Sequence, residues 1–180
     1  MISHVTLAGL VHTAAGAVHA LLAMLCIGVG LIQFLRPKRG ASHRARGYLY
    51  VYAMLVADGT AMLVYRFTGT FNLFHVGAIV NFACIVAAVV PLLRSPRPAN
   101  WRTKHYYFIC WSYVSLISAA VTEIAVRLLP LTTRGQVGLV ALVLSIMTMT
   151  IAYVLIGRYR PPAEVPLVST NLAGQSGVPS

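Results

Sequence analysis

Four histidines, His12, His43, His75 and His105, follow one another at intervals of 31, 32 and 30 residues, one to each of four successive apolar segments. Segments of a membrane bundle alternate in direction, so the spacing sets His12 with His75 near one membrane surface and His43 with His105 near the other. In a square bundle with neighbouring axes about 8–10 Å apart, helices one and three are diagonal, as are two and four. Paired imidazoles are then separated by more than a direct contact. That gap suits a planar macrocycle, and haem iron is commonly held by axial His. Gly16 and Gly47, each four residues after a histidine, leave room on the same faces. Arg44, Arg46, Arg102 and Lys104 stand beside the second pair, where propionates would take charge-assisted hydrogen bonds. The expectation is two b-type haems stacked across a membrane, in an electron-transfer protein whose exchange partner is quinone or a redox protein. A CxxCH motif is missing, which is neutral because b-type haem is not covalently attached.

Other chemistries stay open on the same residues. His12, His75 and Glu123, with His19 one to two turns deeper, form a two-His, one-carboxylate set that would hold zinc with a position free for water, as an intramembrane hydrolase needs. Arg127 lies four residues after Glu123 and is placed to neutralise it instead. Histidines near helix ends are also comfortable as plain interfacial residues, which would make the chain a non-catalytic membrane accessory protein. Asp58 falls near mid-bilayer with no cationic partner in sequence; a proton on it, a hydrogen bond to Thr60 or a tyrosine, or a place near His19 would relieve it, and a proton relay is a further reading. No glycine-rich nucleotide loop, GxSxG or HExxH is present, so soluble-enzyme chemistries have no support.

The elements that must carry these residues are helices in a bilayer. Of the 180 residues, 58% are hydrophobic and 9% charged, too apolar a balance for the surface of a soluble domain. A crossing needs about 20 apolar residues, and the uncharged runs predict five spans, at Leu7–Phe34, Ala45–Val64, Phe74–Leu93, Tyr106–Leu129 and Gln136–Ile156. Short connections make the first four an up-down core. The fifth has no His and becomes a peripheral packing helix. Inward faces are expected to be small and polar, since lipid offers no hydrogen bonds: His12, Gly16, His19, Ala23, Cys26 and Gly30 on the first; His43, Gly47, Tyr50, Met54, Ala57 and Ala61 beside Asp58 on the second; His105, Ser112, Ala119, Glu123 and Arg127 on the fourth. Ser42 reads as the N-cap of the second helix. Pro130 ends the fourth and Pro161 with Pro162 the fifth.

A net charge of +11 suggests nucleic acid until its distribution is seen. Eleven of the fourteen Lys and Arg fall in Arg36–Arg46, Arg94–Lys104 and Arg158–Arg160, all on one side. The positive-inside rule then puts the amino terminus outside and the carboxyl terminus in the cytoplasm of a bacterial-type inner membrane, with no nucleic acid partner. Basic loops also suit anionic lipid head groups. Met1–Leu10 lacks the positive region of a cleaved signal, so the first span is expected to stay. Residues 1–160 form the transmembrane domain, and 161–180, rich in Pro, Gly and Ser, a disordered tail. Cys26, Cys84 and Cys110 sit in separate spans without a CxxC and read as packing residues. Tyr48, Tyr50, Tyr52, Tyr106, Tyr107, Trp101 and Trp111 gather at the basic surface as an aromatic belt.

The run HRARGYLYVYAML at His43–Leu55, with HTAAG at His12–Gly16, Phe74–His75, the later His105, Ser112–Tyr113 and the ExxxR of Glu123–Arg127, resembles the bacterial membrane protein family called domain of unknown function 2306. The resemblance covers roughly residues 10 to 130. It implies that these positions are the family's signature and supplies no activity. In layout, though not in sequence, paired histidines on a four-helix core are also similar to cytochrome b561 proteins, which carry electrons between two haems; those have six spans, and their donor-binding motifs are missing here.

Overall fold

The computed structural model describes residues 14–64 and 71–159. Among them stand five helices and no strand: α1 (Ala14–Leu35), α2 (Gly40–Ala61), α3 (Leu73–Leu93), α4 (Trp101–Leu128) and α5 (Arg134–Arg158). The chain is an all-α polytopic membrane protein. Helices α1, α3, α4 and α5 are each long and apolar enough to cross a bilayer. Leu21, Met24, Ile146 and Ile151 lie exposed on them, side chains that lipid solvates and water does not.

Helix α2 departs from the expectation of five equally apolar spans, because Arg44, Arg46 and Asp58 keep it out of the set that composition alone marks as spanning. Its packing nonetheless lays it alongside α1. Three side chain–backbone contacts link α1 to α2: His19 to Ala57, Cys26 to Tyr50 and Gln33 to His43. They advance along one helix as they retreat along the other, so the two run antiparallel over most of their length. Where α1 crosses, α2 returns.

The ends follow local chemistry. Helix α2 starts earlier than a Ser42 cap would allow: extended Arg39 is the N-cap, and Gly40 takes φ +82°, a backbone that a side chain resists. Asn72 caps α3 by accepting from the Phe74 N–H at 2.9 Å, and the reciprocal half of the box is His75, whose Nδ1 accepts from the Asn72 N–H at 3.3 Å. Thr133 and Gln136 form the same box on α5. Helix α4 stops at Leu128, just ahead of Pro130. Pro161, Pro162 and the tail lie outside the described residues.

Helix α1 packs on α2, α2 on α3, α3 on α4, and α4 reaches back to α1, closing the four-helix core; α5 packs on α4 from outside. Cys26, Val29, Tyr50, Ala53, Met54, Ala57, Ile85 and Leu116 meet in its centre. A second cluster, Cys110, Ala152 and Ile156, joins α4 to α5. The inward faces expected of α1 and α2 are the buried ones at Cys26, Gly30, Tyr50, Met54, Ala57 and Asp58. Helix α4 differs. It buries Ser112, Leu116, Ser118, Thr122 and Val126 and leaves Ala119 exposed, because a helix that touches α1, α3 and α5 is covered on a wider and rotated sector.

Candidate functional site

At the basic end, α2 begins, α3 ends and α4 begins, and there His43 and His105 are brought within electrostatic reach of each other. The His105 ring is held by a 3.1 Å hydrogen bond between Nδ1 and the Ala88 carbonyl of α3. A carbonyl only accepts, so Nδ1 carries the proton. The neutral ring therefore keeps its free lone pair on Nε2, the arrangement in which a metal-ligating His is fixed by its other nitrogen. The carbonyl lies in the turn ahead of Pro91, which sits inside α3 and has no N–H to give the neighbouring Ala87 carbonyl.

His43 sits in the second turn's approach to the bilayer, ahead of Arg46 and the apolar part of α2. Its Nδ1 is buried with no hydrogen-bond partner among the described residues. Burial first, then the charges of His105, Arg46 and Lys38, holds the imidazole below its ordinary pKa. Neutral imidazole is the form that ligates metal. Its backbone is fixed by Gln33 of α1, which donates from Nε2 to the His43 carbonyl at 3.1 Å and accepts from Arg46 Nε at 2.9 Å. Gly47 faces this clamp, and a Cβ there would meet Gln33 Nε2 at 3.7 Å, ordinary contact. Arg44 and Lys104 are exposed; Arg102 is also exposed, with its guanidinium over Trp101, which Arg97 covers as well. Lys38 lies over Phe34 and Tyr106. Tyr48 and Tyr52 point outward as an aromatic belt requires, whereas Tyr50 turns inward, 4% exposed, and bonds Ser112.

The opposite end is built differently. His12 lies outside the described residues. His75 is buried in α3, stacked 5.2 Å from Phe71, and its Nδ1 accepts from Asn72. That bond puts the proton of the neutral ring on Nε2. Gly16 is half-buried on α1. Glu123 is engaged by Arg127, four residues along the same helix, as their spacing predicts. Among the described residues no three His, Cys, Asp or Glu side chains gather to hold a metal ion.

Between the ends, the structure shows what sequence reasoning missed. Asp58 bonds neither Thr60, a tyrosine nor His19; its partner is Asn81 of α3, whose Nδ2 donates to both carboxylate oxygens at 3.0 Å. Thr60 turns back to the Val56 and Ala57 carbonyls of its own helix, where a short hydroxyl reaches most easily. His19 bonds the Ala57 carbonyl at 2.9 Å and fastens α1 to α2. The signal for Asn81 was its being the single amide in an otherwise apolar α3, which in lipid must look inward.

A family model described as predicted membrane protein (DUF2306) matches residues 16–158. The chain belongs to that family. No curated protein and no solved structure matches it significantly.

Proposed function

We propose that this DUF2306 membrane protein is a b-type haem protein that carries electrons, with His43 and His105 as the axial pair at its basic end. One observation carries the reading. Two histidines from diagonal helices lie within electrostatic reach of each other, one with Nδ1–H fixed on a carbonyl so that Nε2 is left to bind, the other held below its ordinary pKa with a buried ring nitrogen that no described protein group satisfies. Buried polar atoms are seldom left so. The residues present thus fit the group. A bis-His haem supplies one-electron chemistry when bound. The protein's share is to orient both histidines: Ala88 fixes the His105 ring, and Gln33 fixes the backbone that bears His43. Arg44, Arg102 and Lys104, exposed at this end, would supply cations for the propionates.

His12 and His75 are the proposed pair for a second haem at the opposite end. Ligation through His75 Nε2 there requires the Asn72 N–H to release Nδ1, a rearrangement the basic end does not need. The concentration of Lys and Arg at the His43 end supports placing it in the cytoplasm, with the amino terminus outside, in an inner membrane. Quinone or a redox protein would exchange the electrons.

An absorption spectrum of the detergent-purified full chain tests the reading. A Soret band that shifts on dithionite reduction is expected, and His43→Ala or His105→Ala should each remove the basic-end haem. Protein that folds in haem-replete cells and stays colourless refutes it.

A further inference from the structure

We propose that Asp58 and Asn81 form a proton-binding site inside the membrane, in which Asp58 is a neutral carboxylic acid that donates its O–H to Asn81 Oδ1 and releases that proton reversibly. The site lies within the bundle core and is independent of any haem. Asp58 is 9% and Asn81 4% exposed. One amide nitrogen, Asn81 Nδ2, serves both carboxylate oxygens, and Asn81 Oδ1 is left buried with no donor among the described residues.

That arrangement has two defects in its ionised form. A carboxylate lies in a low-dielectric interior with an amide as its partner and no cation, and an amide oxygen beside it lacks a donor. A single proton cures both. Placed on Asp58, it removes the charge and gives Asn81 Oδ1 an O–H donor, while Nδ2 keeps the other Asp58 oxygen. The acid and the amide then close a ring of two hydrogen bonds. Loss of the proton returns the shared Nδ2 contact and orphans Oδ1, so the two states differ by one proton and a small turn of the amide.

Among the described residues, no Lys or Arg acts on the Asp58 carboxyl. From α1 come the Cys26 thiol, within electrostatic reach, and His19, bonded to the carbonyl of the residue preceding Asp58. Helix α3 adds the Cys84 thiol. Tyr50 on α2 itself is also within reach and is tied to Ser112 of α4, with Tyr113 of α4 packed on its ring at 6.5 Å. Among the described residues, the Lys and Arg side chains sit at helix ends and connections. His19, with Nδ1–H committed to the carbonyl of the residue before Asp58, keeps a lone pair on Nε2 that can carry a proton.

The sequence makes the test clean, since only three acidic side chains exist and the other two are Glu123, paired with Arg127, and Glu164. Infrared spectra of the full chain in nanodiscs, recorded against pH and in H2O and D2O, should show one protonated-carboxyl stretch at pH 7. It should titrate away as a single group on raising pH, vanish in Asp58→Asn and persist in Glu123→Gln. Asn81→Leu should keep the band and move it to higher frequency, because the acid loses its amide acceptor. The wild-type spectrum alone decides the matter if variants fail to fold. Absence of the band at and below pH 7, its survival in Asp58→Asn, an unmoved band in Asn81→Leu, or persistence at every pH up to unfolding would each overturn the site. Loss of the band on adding Na+ at constant ionic strength would also overturn it, making the pair a cation site.

Discussion

Gly30 gives the sharpest test of how the bundle closes, because α1 and α4 are far apart in sequence and meet through it. A Cβ built on Gly30 would lie 2.3 and 2.4 Å from Cε2 and Cδ2 of Tyr113. The ring has little freedom to yield. Its hydroxyl donates to the Ile27 carbonyl at 3.1 Å, and its faces meet Phe34 at 5.1 Å and Tyr50 at 6.5 Å. Gly30→Ala must therefore overpack the contact, typically about 1–3 kcal/mol, or swing the ring and lose an interhelical hydrogen bond worth on average about 0.6 kcal/mol in membranes as well as the ring contacts. A loss of about 1.5–3 kcal/mol is expected, which at about 2–4 °C per kcal/mol for a chain of this size is a fall in melting temperature of about 5–10 °C. Thermal unfolding in detergent, followed by loss of the monodisperse chromatographic peak, measures it. The same substitution in a Tyr113→Ala background should be nearly neutral, since the atoms it strikes are gone. Gly30→Ala as stable as the wild type, or equally harmful without the Tyr113 ring, would show that α4 does not seat here.

Three further outcomes follow from the same contacts. His105→Gln keeps a side-chain donor near the Ala88 carbonyl but removes the ligand, so it should hold helicity and monodispersity while losing the basic-end haem; retained haem in the spectrum would remove His105 from the site. His43 is held below its ordinary pKa, so the folded protein prefers the neutral ring and the benefit is complete at pH above the ordinary His range. As pH falls through that range toward the lowered value, the unfolded chain gains the proton first, and stability and haem retention should drop together; a His43→Ala variant showing the same acid dependence would assign it elsewhere. His19→Leu removes the α1–α2 bond to Ala57, whose carbonyl still accepts from Thr60, so a small loss of about 0.6 kcal/mol is expected in the same thermal assay.

The helices were legible because the bilayer is a strict solvent: long uncharged runs have few alternatives, and the end ahead of Pro130 follows from backbone chemistry, whereas the start of α2 at Gly40 was missed for Ser42. Inward faces of α1 and α2 were legible for the same reason. Helix α4 was not, since a period of 3.6 locates a polar stripe but says nothing of how many neighbours cover the helix; three neighbours shifted its buried sector toward Ser118 and Thr122. That His43 and His105 share one end of the bundle could be read from alternation, which fixes the end at which a residue lies. The partner of Asp58 could not, because a buried side chain's choice among Thr60, His19 and Asn81 depends on helix rotation within a few tens of degrees. Thr60 was lost to its own backbone, and His19 to the Ala57 carbonyl.

Several of the side-chain bonds between helices share a pattern that explains why one residue can serve structure and chemistry together. His19 reaches Ala57, His105 reaches Ala88, Tyr106 reaches Ile156 and Tyr113 reaches Ile27, each ending on a backbone carbonyl of a neighbouring helix. A helical carbonyl has a second lone pair after its own ladder bond, so such a link costs the helix nothing and needs no polar side chain on the partner. For tyrosine the link uses its single donor. Histidine differs: donating from Nδ1 leaves Nε2 with a lone pair and a fixed direction, so every His that fastens two helices this way also presents an oriented base to whatever lies on its other side. His19 does so on the carbonyl of the residue before Asp58, and His105 does so within electrostatic reach of His43. The same bond that builds the bundle thus sets the tautomer its chemistry requires, and the glutamine substitution at His105, which copies the donor and discards the base, separates the two roles.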